Sequence, residues 1–241
     1  MKKILINIDS GENFSIYRNP IEEELIKDSD LINIACGFHS GDPDNLRETV
    51  KIIKKYGKIP GAHPSYPDLF GFGRRSMKLS YSEIENIIIY QLGALSGFLK
   101  VEGITLNHVK PHGALYNDSV KDEVVTEAIG RGVFLFDKNL KMIGLSLSKQ
   151  VEIWKKMGLQ VLNEVYIDRA YNVDGTLVSR EKIGSVITDL NLIEERIKNL
   201  LKSKEIITIS GNRIKLEIDT ICLHSDTPNS LEILKILRRY L

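Results

Sequence analysis

Short apolar runs alternate with amphipathic helical stretches along this chain, and that alternation restricts the fold more than any other feature. Strand-like runs occupy residues 4–8, 31–35, 58–62, 106–109, 141–145, 159–162, 205–209, 213–217 and 218–223. Helical patterns occupy residues 21–27, 46–56, 80–101, 121–136, 146–157 and 192–202. This order predicts an α/β fold, in which helical crossovers connect the strands of a parallel sheet. Six or seven such units favour a single-domain (β/α) barrel over residues 1–241, closed or nearly closed.

Polar residues collect where the predicted strands end. Each of the five histidines ends an apolar run and meets glycine, proline or aspartate. Chemistry in barrels of this kind takes place at the carboxyl ends of the strands, where the following loops converge. We therefore expect one pocket to gather Asp9, Glu12, His39, His63, Lys110, His112, Asp168 and His224.

The segment TLNHVKPHGALYN, residues 105–117, is the most distinctive of these strand ends. It places His108, Lys110 and His112 within five residues, and Gly113 then permits close approach of the backbone to a ligand. A proton-transferring ring beside a fixed cation is typical of a reaction site. The alternative for the segment alone is a polar surface loop.

Asp9 and Glu12 directly follow the first predicted strand. Carboxylates in that position serve as base, acid or metal ligands, although Asp, Ser and Gly are also favoured in simple turns. Other polar residues have a sufficient structural explanation as helix caps. These are Asp42 before Pro43, Thr227 before Pro228, and the Ser80–Glu83 capping box.

Two loops are predicted to act as lids over the pocket. Residues 69–75 (LFGFGRR) are too long for a plain connection, and Arg74 or Arg75 could clamp a carboxylate or phosphate. Either arginine taken alone is more typical of a solvated surface. Residues 171–180 contain an Asp-Gly turn and form the other lid.

Composition excludes several classes of function. A net charge of +1 gives no reason to expect nucleic acid or an anionic membrane as a partner. Cys36 and Cys222 are too far apart in the sequence to form a metal-binding cysteine motif. Each lies in an apolar run, so we expect both to be buried free thiols, as in proteins of a reducing compartment. The chain lacks an apolar window of about 20 residues, and acidic residues interrupt its first apolar run, so we expect a cytoplasmic protein. Neither a P-loop nor a dinucleotide fingerprint is present, so no tightly bound organic cofactor is expected.

Seven segments together resemble the LamB/YcsF family, which supplies the A component of bacterial and archaeal 5-oxoprolinases. They are residues 7–12, 33–43, 61–68, 71–75, 108–117, 164–169 and 221–226. Ser15, Ala170 and Ser225 stand where the family tends to have glycine, which affects loop shape more than charge. The resemblance implies an irregular seven-stranded barrel related to glycoside hydrolase and deacetylase folds. It also implies ATP-dependent opening of 5-oxo-L-proline to L-glutamate through a phosphorylated intermediate, with subunits B and C as partners and Mg²⁺ accompanying ATP.

Under this reading, Asp9 or Glu12 together with His63 or His112 activates water. Lys110 and Arg169 neutralise developing oxyanion or phosphate charge, and replacing Lys110 by Met is expected to abolish turnover without unfolding the barrel. The catalytic set is then Asp9, Glu12, His63, Lys110, His112 and Asp168. The substrate-binding set is His39, Arg74, Arg75, Arg169, His224 and Asp226.

Two other functions remain open on the sequence alone. The first is a metal-dependent amidase or carbohydrate deacetylase, whose ion would be held among Asp9, His39, His63 and His112. A zinc ion there would lower the pKa of its bound water to about 7. The second is a binding subunit that presents substrate to an active partner.

Overall fold

The computed structural model describes residues 3–241, and its main feature is a closed barrel of seven parallel strands. The strands are β1 (Leu5–Ser10), β2 (Leu31–Ala35), β3 (Ile59–His63), β4 (His108–Val109), β5 (Lys141–Leu145), β6 (Gln160–Tyr166), β7 (Glu205–Ile207), β8 (Arg213–Lys215) and β9 (Thr220–Leu223). Around the barrel the order is β1-β2-β3-β4-β5-β6-β9, so β9 closes the ring between β6 and β1. The predicted seven-stranded (β/α) barrel is confirmed.

Eight helices accompany these strands within residues 3–241. They are α1 (Glu22–Asp28), α2 (Pro43–Lys55), α3 (Tyr81–Glu102), α4 (Gly113–Lys121), α5 (Glu123–Asp137), α6 (Lys149–Lys156), α7 (Leu190–Ser203) and α8 (Ser230–Tyr240). The prediction of one helix over 121–136 missed α4. The chain turns at Asp122, whose carboxylate caps α5 by accepting from the backbone N–H groups of Val124 and Val125.

The tail differs from a simple continuation of the barrel. β7 and β8 pair antiparallel in a separate two-stranded sheet, so only the last tail strand enters the ring. The predicted caps of α2 and α3 are confirmed at Asp42 and at the Ser80–Glu83 box. The predicted cap at Thr227 is wrong, because the N-cap of α8 is Asn229.

Alternation along the strands puts polar groups inside the barrel and apolar groups outside. Ile6 and Ile8 join the apolar core, whereas Asn7 and Asp9 take part in a buried polar network. The Asn33 side chain donates to the Oδ1 atoms of Asn7 and Asp9, each at 2.9 Å. Such an interior is stable only because its members satisfy one another. It forms a hydrogen-bonded floor beneath the carboxyl ends of the strands.

The floor also accommodates His108. Its Nε2 lies 2.9 Å from Asn33 Oδ1, and a Cβ at position 61 would overlap the imidazole ring. Gly61 therefore makes room for a buried ring, and burial lowers the pKa of His108 to about 3. His108 supports the interior from below, while Lys110 and His112 of the same segment line the cavity described below.

Both cysteines are buried free thiols, as predicted. Within residues 3–241, none of the helices combines the length and apolarity needed to cross a membrane.

Candidate active site

A cavity of about 600 Å³ opens at the carboxyl ends of the barrel strands. Residues from the ends of six strands or from the loops that follow them line its wall. Of the predicted site residues, these are Asp9, His63, Arg74, Lys110, His112, Arg169 and His224. Residues distant in the chain thus meet at one rim of the barrel.

Lys110 lies at the centre of the buried charges. Its Nζ is 3.0 Å from Asp9 Oδ1 and 3.0 Å from Glu164 Oε1. It is also 3.2 Å from Asn7 Oδ1 and 3.1 Å from Cys222 Sγ. Burial would lower the pKa of Lys110, but the neighbouring carboxylates outweigh it and hold the pKa well above its ordinary value. The ammonium is therefore charged, and its three protons have acceptors within the protein.

Asp9 connects this cation to a group of histidines. Its Oδ1 accepts from Lys110, and its Oδ2 lies 3.4 Å from His63 Nε2. Burial would raise the pKa of Asp9, but His63 and Lys110 hold it well below the ordinary value. Asp9 is therefore a fixed anion at neutral pH.

The histidine cluster comprises His39, His63 and His112 together with Glu12. His63 Nε2 and His112 Nδ1 are 3.0 Å apart, and Glu12 Oε1 lies 3.6 Å from His112 Nδ1. The His39 ring stacks on His112 with centroids 3.7 Å apart, and its Nε2 is 3.2 Å from Glu12 Oε1. Burial and the neighbouring rings hold the pKa values of His39 and His112 well below normal, so both are neutral.

Glu12 differs from Asp9 in its readiness to exchange a proton. Burial, assisted by the charge of Asp9, raises the pKa of Glu12 to about 7. A carboxyl group with that pKa both takes and gives protons near neutral pH, which suits general acid–base catalysis. The structure therefore distinguishes the two carboxylates that the sequence left equivalent.

A second histidine system lies at the end of β9. His224 lines the cavity, and its Nδ1 is 2.9 Å from Oδ2 of the fully buried Asp168. Thr227 donates to the same oxygen at 2.6 Å. Burial would raise the pKa of Asp168, but His224 and these hydrogen bonds lower it to about 2. Asp168 thus orients His224 from behind the cavity wall, and Thr227 serves this pair instead of capping a helix.

The predicted arginines have different surroundings. Arg169 is buried and donates to the carbonyl oxygens of Ser185 at 3.2 Å and Val178 at 2.6 Å. Arg74 pairs with Asp226 at 2.7 Å beside the cavity. Arg75 instead pairs with Asp68 outside the cavity wall, where it braces the glycine-rich loop. This position of Arg75 does not support the predicted contact with substrate.

The comparisons with known proteins agree with one another. The model of the LamB/YcsF family matches residues 4–241. This chain belongs to the LamB/YcsF family. It is 51% identical to the 5-oxoprolinase A component of Thermococcus sibiricus over 99% of this chain and 94% of that protein. It is 46% identical to the Campylobacter jejuni protein of the same name, over 100% and 94%.

A solved structure extends the similarity to three dimensions. The lactam utilization protein from Thermus thermophilus superimposes with a TM-score of 0.92 at 38% identity. The alignment covers 100% of this chain and 96% of that one. The LamB/YcsF barrel is therefore shared over the whole chain.

Several residues around this LamB/YcsF cavity were not among the predicted site residues. Glu164 contacts Lys110, and Tyr116 donates to the other oxygen of Glu164 at 2.9 Å. Tyr166 stacks on His224 with centroids 5.2 Å apart, and Arg180 also lines the cavity. A carboxylate near the end of a largely apolar strand was the signal for Glu164, since burial of such a group requires a partner.

Proposed function

We propose that this chain is the lactam-opening component of a 5-oxoprolinase and converts 5-oxo-L-proline with water to L-glutamate. The names of its relatives support the substrate and reaction. The observation that carries the proposal is the pairing of two carboxyl groups with opposite pKa shifts. Asp9 lines the cavity, and Glu12 lies 3.6 Å from the ring of His112, which also lines it. Asp9 is held ionised and Glu12 is poised near neutrality, which divides the roles of anion and proton carrier.

The chemistry of a lactam explains why such a site is needed. A five-membered lactam is a resonance-stabilised amide and a poor electrophile. Water must attack its carbonyl carbon, the C–N bond must break, and the departing nitrogen must gain a proton. We assign water activation to Glu12 and His63, and protonation of the nitrogen to His224, whose ring Asp168 orients.

Lys110 has a different role from the one expected. Because its protons are directed to Asn7, Asp9 and Cys222, and Glu164 lies 3.0 Å away, the ammonium maintains the ionised site instead of contacting the developing oxyanion. Arg169 and Arg180 also line the cavity, and we assign that task to them. The hydrogen bonds of Arg169 go to backbone carbonyls, which leave its positive charge available to an anion.

The same arginines suit a phosphoryl group. We propose that ATP activates the lactam oxygen by phosphorylation, because this converts a poor electrophile into one with a good leaving group. Water then attacks the activated carbon, and the ring C–N bond breaks as the nitrogen gains a proton, which leaves a glutamyl phosphate. A second water hydrolyses this acyl phosphate to L-glutamate and phosphate. We further propose that partner subunits B and C complete the nucleotide step, with Mg²⁺ bound to ATP, since this chain has no P-loop sequence.

The test is glutamate release from 5-oxo-L-proline, measured with this chain alone, the partner subunits alone and the full set, each with and without ATP. We expect release only from the full set with ATP, and phosphate in equal amount. His224→Gln should remove activity without preventing assembly. No release by the full set with ATP would contradict the proposal.

The carboxylate–histidine cluster favours one alternative, a metal-dependent amidase or carbohydrate deacetylase. That enzyme would hydrolyse its amide without ATP and without partners. Release by the chain alone, abolished by a chelator and unaffected by ATP, would establish this alternative.

A further inference from the structure

Two backbone carbonyls determine the protonation of the central histidine pair. Nδ1 of His63 lies 2.6 Å from the carbonyl oxygen of Lys110, and Nε2 of His112 lies 2.9 Å from that of Phe72. A carbonyl oxygen only accepts hydrogen bonds, so both of these ring nitrogens must carry a proton. In neutral rings the other two nitrogens therefore present lone pairs.

Those two lone pairs face each other. His63 Nε2 and His112 Nδ1 are 3.0 Å apart, and neither can donate to the other while both rings are neutral. Carboxylate oxygens add to the same region, with Glu12 Oε1 3.6 Å from His112 Nδ1 and Asp9 Oδ2 3.4 Å from His63 Nε2. The cluster is therefore a convergence of acceptors that requires a shared cation.

The buried charges require a cation as well. Asp9, Glu12 and Glu164 contribute three carboxylates around the cavity floor, against the single ammonium of Lys110. Uncompensated charge in a buried site is costly, and a bound dication that displaces the proton of Glu12 would balance the three carboxylates together with Lys110.

We propose that Glu12, His63 and His112 bind a divalent transition-metal ion, with Zn²⁺ as the reference ion. Their donor atoms all lie within 4.8 Å of one another. Ligands of a tetrahedral zinc ion stand roughly 3.3–3.5 Å apart. His112 lies 3.0 Å from His63 and 3.6 Å from Glu12, and His63 and Glu12 are within 4.8 Å of each other. Two imidazoles and one carboxylate favour zinc or manganese over magnesium, which prefers oxygen ligands.

The surroundings match those of metal-binding histidines. Such rings usually donate their distant N–H to a carbonyl or carboxylate, which fixes the ring and its tautomer. His63 and His112 both do so. Asp9 Oδ2 lies 3.4 Å from Nε2 of the proposed ligand His63, and this carboxylate would accept a hydrogen bond from a water beside the ion. His39 is excluded from the ligand set, because it stacks on His112 and directs Nε2 to Glu12.

The proposal does not depend on lactam opening and is tested on this chain alone. With the ion bound, Glu12 and His63 would hold it, and the ion would supply the water activation assigned above to these two residues. The chelator-treated protein is titrated with Zn²⁺ and separately with Mn²⁺ by calorimetry. We expect one ion per chain and a higher melting temperature in its presence. His63→Gln and His112→Gln should each weaken affinity by more than about 100-fold, beyond the loss caused by an orienting partner. The matched variant His39→Gln should still bind one ion.

If a variant does not fold, a spectroscopic measurement on the wild-type protein still tests the proposal. Co²⁺ bound to the proposed site should give the visible absorption of an ion with nitrogen ligands, and Zn²⁺ should displace it. Folded protein that binds none of these ions overturns the proposal and indicates a proton shared by the two rings. Equal loss of binding in His39→Gln would overturn the ligand set. Neither result contradicts the lactam-opening proposal, which is tested separately by the glutamate-release assay.

Discussion

At the scale of single residues, the pKa of each carboxylate is determined by the side chains that surround it and not by its position in the chain. Asp9 and Glu12 are three positions apart, yet the pKa of Asp9 is held well below normal and that of Glu12 rises to about 7. Burial acts on both in the same direction. Lys110 and His63 contact Asp9 directly and reverse the effect there.

Replacing Lys110 by Met should abolish glutamate release and also destabilise the barrel. The sequence alone suggested that the fold would be spared, but Lys110 is paired with two buried carboxylates. Removing one partner of a buried ion pair leaves an uncompensated charge and costs about 3–5 kcal/mol. Urea unfolding of both proteins at pH 7 measures this loss.

A double variant separates the two effects. Lys110→Met combined with Glu164→Gln removes one of the stranded charges, so it should recover part of the unfolding free energy while remaining inactive. Wild-type stability in the single variant would show that the charges are not coupled in this way.

Asp168→Asn should make the protein about 2 kcal/mol less stable at pH 7. The pKa of this buried carboxyl is depressed from 3.8 to about 2, so its contribution is present above pH 3.8 and is lost as pH falls through 2. The difference from wild type should shrink to roughly half at pH 3. Urea unfolding at both pH values tests this, and a difference independent of pH would contradict it.

At the scale of elements, periodicity and capping predicted most strands and helices, because each depends on nearby residues. The strands at residues 31–35 and 141–145 and the capping box at Ser80 follow directly from local patterns. Helix α4 was missed because its N-terminus follows from tertiary contact. The Ala114 N–H donates to the Gly73 carbonyl at 2.8 Å, so the glycine-rich loop completes the start of that helix. Thr227 was misread for the same reason, since its partner Asp168 is distant in the chain.

Gly113→Ala should disturb this junction more than a comparable change elsewhere. Gly113 has a φ of +55°, and an added Cβ would lie 2.5 Å from the Gly73 carbonyl oxygen. Gly103 has a φ of +73° with open space around it, so Gly103→Ala carries only the backbone strain of about 1–2 kcal/mol. Thermal unfolding should show the larger loss for Gly113→Ala, accompanied by lower activity. Equal losses would mean that the loop adjusts freely.

At the scale of the whole molecule, the barrel explains why the candidate site was largely foreseeable. Parallel strands bring their carboxyl ends to one rim, so Asp9, His63, His112 and His224 could be placed together without knowing any distance. Glu164 and Tyr166 were harder to assign, because their inward direction depends on the register and closure of the ring. The opposite pKa shifts and the lone-pair convergence also required coordinates.

The same rim carries exposed apolar side chains that suit contact with a partner protein. Ile16 is 84% exposed, and Phe70 and Ile183 are fully exposed, on loops that follow β1, β3 and β6. We expect Phe70→Ser with Ile183→Ser to weaken assembly with the partner subunits while leaving the melting temperature unchanged, because neither side chain is buried in the isolated chain. Val101→Ser is the matched control, since Val101 is 68% exposed at the end of α3 that leads into the opposite rim. Sedimentation of the mixed subunits measures assembly, and equal behaviour of the two variants would place the partner contact elsewhere.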